Sequence, residues 1–137
     1  MMCGRFTREY TSQELEAFVE TCFPGGVASV DDSVTAVEPS YNVAPTQTSP
    51  VVSGSGASAG LSAEICLRRW GLIPSWANDA SIGARTINAR SETAADKPAF
   101  RNAFSRGRCA VPVSSFFEWT TPEEGGPKRP YRVSRAD

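Results

Sequence analysis

Two stretches of this 137-residue sequence repeat apolar residues at helical spacing, and they confine helix to short pieces of a chain otherwise written in strands. In the first, Thr11 and Glu14 match a capping box, and Leu15, Phe18, Val19 and Cys22 follow on one face until Pro24-Gly25-Gly26 stops the helix. In the second, Asp96 is placed to cap a helix with Pro98 in its first turn. Phe100, Ala103 and Phe104 then point inward and Gly107 ends it. Residues 4–6, 41–45, 65–72, 87–90, 109–113, 116–119 and 131–133 read as strands or extended pieces, and 27–40 and 74–84 as loops. The small-residue tract 53–60 reads as a flexible hairpin tip within one domain. The expected fold is α+β and β-rich, with two or three short helices.

The charge is split along the chain. Residues 1–67 hold two basic and eight acidic side chains, net −6, whereas residues 68–137 hold twelve basic and seven acidic ones, net +5. Ten of those twelve are arginines, which leans the second half towards a polyanionic partner. No segment approaches the roughly 18 apolar residues of a membrane helix. The N-terminus lacks the basic and apolar regions of a secretory signal, so an intracellular protein without a membrane partner is expected.

Histidine is absent, which excludes His-ligated zinc and Ser-His-Asp or Cys-His chemistry within this chain. Cys3, Cys22, Cys66 and Cys109 lie 19, 44 and 43 residues apart, so no CxxC pair exists. Cys22, Cys66 and Cys109 read as buried small hydrophobes. Cys3 is different. With its amine free, it is a 1,2-aminothiol that condenses with an aldehyde and closes to a five-membered thiazolidine, the second step gaining from proximity. Met1 and Met2 stand before it, so the chemistry requires that Cys3 become the terminus. Glu118 shares a strand face with Phe116, an apolar setting expected to raise its pKa towards neutrality and suit it to proton transfer. Asn88 can donate and accept hydrogen bonds, and alternation would point Arg90 the same way.

The segments "MCGRF" (2–6), "YNVAP" (41–45), "RWGLIPSW" (69–76), "INARSET" (87–93) and "FFEW" (116–119) resemble, in order, the motifs of the SOS-response-associated peptidase (SRAP) family. The resemblance implies a core of partly open, barrel-like sheets that recognises abasic sites in single-stranded DNA and crosslinks to them. Carried over, Cys3 is the nucleophile, Asn88 orients the opened sugar and Glu118 transfers protons. Arg5 and Arg90 hold phosphates, and Asn42, Pro45, Trp70 and Trp76 shape the cleft. No metal or cofactor is implied, and a monomer is expected, in the nucleus if the source is eukaryotic and in the cytoplasm or nucleoid if bacterial. The family also has a later histidine-bearing segment that this sequence lacks, so 1–137 is expected to be the N-terminal portion of the domain. Two other readings fit the same residues. One is an N-terminal-nucleophile peptidase with Asn88 as oxyanion donor, and the other is a single-stranded DNA-binding module in which Cys3 is incidental.

Overall fold

The computed structural model describes residues 3–55 and 61–136. Seven strands form two sheets. A four-stranded sheet has the order β3 (Ser40–Val43), β1 (Arg5–Arg8), β6 (Ser115–Thr120), β7 (Arg129–Ser134), with all neighbours antiparallel. A three-stranded sheet has the order β2 (Val27–Val30), β5 (Ser62–Arg69), β4 (Thr48–Ser55), in which β2 runs parallel to β5. Helices α1 (Ser12–Cys22), α2 (Asp32–Thr35) and α3 (Arg101–Arg106), with a 3₁₀ turn at Ala80–Ala84, complete a mixed α+β architecture of open sheets.

Helix α1 starts where the sequence directs. The Thr11 hydroxyl accepts from the Glu14 backbone N–H and the Glu14 carboxylate accepts from the Thr11 N–H, so two otherwise orphaned donors are satisfied. Its buried face is narrower than expected. Leu15 and Val19 are buried, but Phe18 is 65% exposed and Cys22 is exposed. Phe23, just past the helix, packs on the core in their place. That core joins Leu15, Val19 and Val34 to Val52, Ala63 and Ile65 of the three-stranded sheet. Each fully buried aliphatic side chain there contributes about 1.5–3 kcal/mol.

Several expectations are corrected. Residues 27–40 are no irregular loop: Val27–Val30 adds a parallel strand to β5, and Asp31 caps α2 by accepting from the Ser33 N–H at 2.9 Å. The 87–90 stretch is coil without a strand partner. Residues 109–113 contribute only an isolated bridge, Ala110 to Val52. Asp96 does not cap α3; Phe100 occupies that position without a side-chain bond, and turns fill 91–96. Phe104 is 45% exposed and lies under the Arg108 guanidinium, 5.9 Å from the ring centroid. Of the tract 53–60, residues 53–55 finish β4, and 56–60 lie outside the described residues. Among the described residues no helix is long and apolar enough to cross a membrane.

The first strand is tied inward by polar contacts as well as the ladder. The Thr7 and Ser115 hydroxyls, both buried, lie 2.7 Å apart, the Glu9 N–H donates to the Ser114 hydroxyl at 2.9 Å, and the Tyr10 hydroxyl donates to the Pro112 carbonyl at 2.8 Å. These groups are thus paired, whereas the Arg8 Nε in the same strand is buried without a hydrogen-bond partner.

Candidate functional site

Cys3 lies two residues ahead of β1, and the pairing of β1 with β6 sets Phe6 opposite Phe116 and Arg5 opposite Phe117. Alternation then places Phe6, Phe116 and Glu118 on one face and Arg5 and Phe117 on the other. On the first face a cavity of about 480 Å³ is lined by Cys3, Phe6, Trp70, Ile87, Cys109 and Phe116, among others. The cavity is mostly apolar, and the half-buried Cys3 sits in its wall.

Of the expected residues, Cys3 and Trp70 line this cavity, and Asn88 and Glu118 bear on Cys3 without lining it. The Asn88 side-chain amide donates to the Cys3 backbone carbonyl at 2.8 Å. Burial pushes the Cys3 thiol pKa up, a backbone contact at Arg5 partly offsets this, and the negative Glu118 carboxylate close by raises it again. The thiol donates to the Arg5 carbonyl at 3.4 Å, so it is held rather than free. Glu118 itself is half-buried on the Phe116 face.

Asn88 reaches Cys3 from coil, so strand alternation is not what aims it. The segment before it folds back through a glycine crossing. Gly71 has φ +120°, and a Cβ there would lie 2.3 Å from the Gly83 carbonyl oxygen. Only glycine permits both the conformation and the approach. The Leu72 N–H donates to the Thr86 carbonyl at 3.2 Å, and the Thr86 hydroxyl donates to the Leu72 and Ile82 carbonyls. The Trp70 indole N–H donates to the Ile87 carbonyl at 2.8 Å, fixing the residue next to Asn88. Trp70 also packs on Phe6 with ring centroids 5.3 Å apart, so it forms cavity wall.

The remaining expected residues scatter. The Arg5 guanidinium donates to the Asn42 side-chain oxygen at 2.7 Å, on the sheet face away from the cavity. Trp76, 56% exposed, donates weakly to the Pro98 carbonyl at 3.4 Å and lines a separate cavity of about 200 Å³. Arg90 is exposed and Pro45 half-buried; neither lines the Cys3 cavity. Two features escaped the sequence reading. Trp119 stands against the N-terminal segment, with its Cζ3 4.0 Å from where a Gly4 Cβ would be, and it shares the outer face with Arg5. The alternation of "FFEWT" was the available signal. Cys109 lines the cavity instead of serving as a buried hydrophobe. It is exposed and Cys66 half-buried. Partial desolvation of its sulfur in the cavity wall and the neighbouring Cys66 raise its thiol pKa, with Arg68 partly offsetting them. Among the described residues no group of acidic, Cys or His side chains could hold a metal ion.

The model of the SOS response associated peptidase (SRAP) family matches residues 2–137. The chain belongs to the SRAP family. Related sequences and a solved structure of similar fold accompany that match. The abasic site processing protein YoaM of Bacillus subtilis is 40% identical over 120 residues, covering 86% of this chain and 47% of YoaM. The abasic site processing protein YMR114C of Saccharomyces cerevisiae is 32% identical over 157 residues, covering 99% of this chain and 40% of its own. A crystal structure of a Bacteroides thetaiotaomicron protein superposes with a TM-score of 0.71 at 23% identity, over 96% of this chain and 54% of that one. This SRAP chain therefore spans about half the length of the Bacillus relatives it matches.

Proposed function

We propose that this SRAP chain recognises abasic sites in single-stranded DNA and bonds to them covalently through Cys3, once Cys3 is the N-terminal residue. The observation that carries the reading is that two residues bear on Cys3: the Asn88 amide donates to its backbone carbonyl at 2.8 Å, and the Glu118 charge helps to raise its thiol pKa. The names of the relatives, abasic site processing proteins, support the same substrate class.

An abasic nucleotide in its ring-opened form presents an aldehyde. The Cys3 amine adds to that carbon to give a carbinolamine, which loses water to leave an imine. The thiol sulfur then adds to the imine carbon, its proton is taken up and one returns to the nitrogen, and a thiazolidine results. Closure is intramolecular and needs no further reagent. With its pKa raised, the thiol remains protonated at neutral pH, so the amine attacks first and Glu118 is placed to accept the thiol proton at closure. Asn88 holds the Cys3 backbone so that amine and thiol reach the same carbon. Arg5 with Asn42, and the exposed Trp119, offer a phosphate contact and a stacking surface for the flanking strand.

The experiment is a denaturing gel of protein beginning at Cys3 with single-stranded DNA carrying one abasic site. A covalent adduct is expected from the native sequence and not from Cys3→Ala. Glu118→Gln should form it about 10²–10⁴-fold more slowly with little change in DNA affinity. An equal adduct from Cys3→Ala overturns the proposal. The N-terminal-nucleophile peptidase reading would aim the Asn88 amide at a substrate carbonyl, whereas here that donor is engaged by Cys3 itself.

A further inference from the structure

Only two cations stand in residues 1–67, and Arg8 is the one that the proposed chemistry does not use. Arg8 is 8% exposed. Its Nη1 donates to the Ser49 hydroxyl at 3.2 Å and its Nη2 to the Glu38 backbone carbonyl at 3.0 Å, while Nε is buried without a hydrogen-bond partner. No carboxylate neutralises it: among the described residues the one ion pair is Arg132 with Glu9. Glu9, its neighbour in sequence, is turned to Thr7 and Arg132 instead. A buried guanidinium with neutral partners alone carries a large uncompensated desolvation cost.

Arg8 also lines an open cavity of about 440 Å³ whose other walls are Ser40, Val43, Thr46, Gln47 and Thr48. Three hydroxyls and an amide thus surround one buried positive charge, with no acidic side chain in the lining. Thr46 holds φ +75°, a conformation that a β-branched residue adopts only when its surroundings impose it, as at ligand clamps. We infer that this cavity is an oxyanion site that takes a phosphate group against Arg8 and the hydroxyls of Ser40, Thr46 and Thr48. A planar guanidinium fork with hydroxyl donors around it matches the tetrahedral, multiply accepting phosphate better than a hydrophobic ligand of any kind. The site lies apart from Cys3: none of its lining residues lines the Cys3 cavity. The phosphate can be free inorganic phosphate or a phosphodiester of a DNA strand, and the two are separable.

The test is the thermal unfolding midpoint of the whole chain in inorganic phosphate against chloride at equal ionic strength. Phosphate should raise it by on the order of 5 °C near saturation, and Arg8→Gln should abolish the rise. A parallel arm adds a single-stranded oligonucleotide without an abasic site. Displacement of phosphate by the oligonucleotide assigns the site to a strand phosphodiester, and no displacement assigns it to the free ion. Should Arg8→Gln fail to fold, the double variant Ser40→Ala with Thr48→Val decides, with phosphate affinity falling about 5-fold or more from two lost hydrogen bonds. Absence of a phosphate-specific rise in the native sequence overturns the inference, as does a rise that survives these substitutions undiminished. Adduct formation at abasic DNA, measured on the same variants, is a separate readout and stands or falls with Cys3.

Discussion

The Asn88 amide reaches the Cys3 carbonyl across 85 positions of sequence, and this bond joins the N-terminal segment to the 71–88 loop. Its loss should act on geometry rather than on folding. Asn88→Ala is expected to slow adduct formation about 10–100-fold, because a misplacement of the terminus by about 1 Å forfeits much of the proximity gain. Single-turnover gels, with the unfolding midpoint as control, measure it; an unchanged rate removes Asn88 from the site.

The pH dependence of closure follows from the raised Cys3 thiol. The reactive thiolate fraction grows with pH, so the adduct rate should climb through neutrality towards a plateau on the alkaline side. Removing the Glu118 charge removes one cause of the rise. The Glu118→Gln profile should therefore be displaced to lower pH even as its overall rate drops. Rates across pH 6–10, roughly bracketing the ordinary thiol pKa, test both statements.

Tyr10 supplies a stability test independent of chemistry. Burial pushes its phenol up to about 12, with Arg8 partly offsetting. A folded-state pKa above the unfolded value of about 10 favours the protonated form, so the contribution is intact below about pH 10 and is lost as pH rises towards 12. Tyr10→Phe should remove that alkaline loss and, through the missing bond to Pro112, cost about 1 kcal/mol at neutral pH. Denaturant midpoints at pH 8 and pH 11 check it.

Two of the four positive-φ glycines among the described residues, Gly71 and Gly26, should respond differently to alanine. Gly26, at φ +65° with nothing within 4 Å of a new Cβ, is charged only for conformation, about 1 kcal/mol. Gly71 adds a collision with backbone, and Gly71→Ala should cost several times more while also displacing Ile87 and Asn88. Chemical denaturation of the pair decides; equal losses mean the Gly71–Gly83 crossing is not tight.

Arg5 should contribute through phosphates. Arg5→Ala is expected to weaken single-stranded DNA binding and reduce the slope of log affinity against log salt by about 0.7. A slope equal to that of the native sequence in a salt titration places Arg5 off the strand.

Local signals were the readable part of the fold. The Thr11–Glu14 box and the extended runs at Tyr41, Ile65, Phe116 and Tyr131 all rest on neighbours in sequence. What failed was decided at long range. Val27–Val30 is a strand because β5 offers it a parallel edge 35 residues on, Val30 beside Ile65, and nothing in "VASV" announces that edge. Residues 87–90 have strand composition, yet the Trp70 indole and the Gly71–Gly83 crossing claim the segment as coil. Cys22 fits the helical repeat but stands exposed at the end of α1. Asn88 was readable as a residue and not as a geometry, since its aim comes from a loop and not from alternation.

The interior position of β1 has a consequence for biosynthesis. The strand that follows Cys3 is the first to be made, yet it finds β6 only when Ser115 exists, 108 positions beyond Thr7. At about 5–20 residues per second, that interval is roughly 5–20 s of translation. Throughout it the terminus lacks the carboxylate of Glu118, and of its sheet only β3 is available to pair with β1. In the proposed chemistry, Cys3 thus becomes a positioned reagent only after Asn88 and Glu118 have been made. Docking of β6 onto β1, and not the synthesis of Cys3, is therefore the event that completes the proposed site.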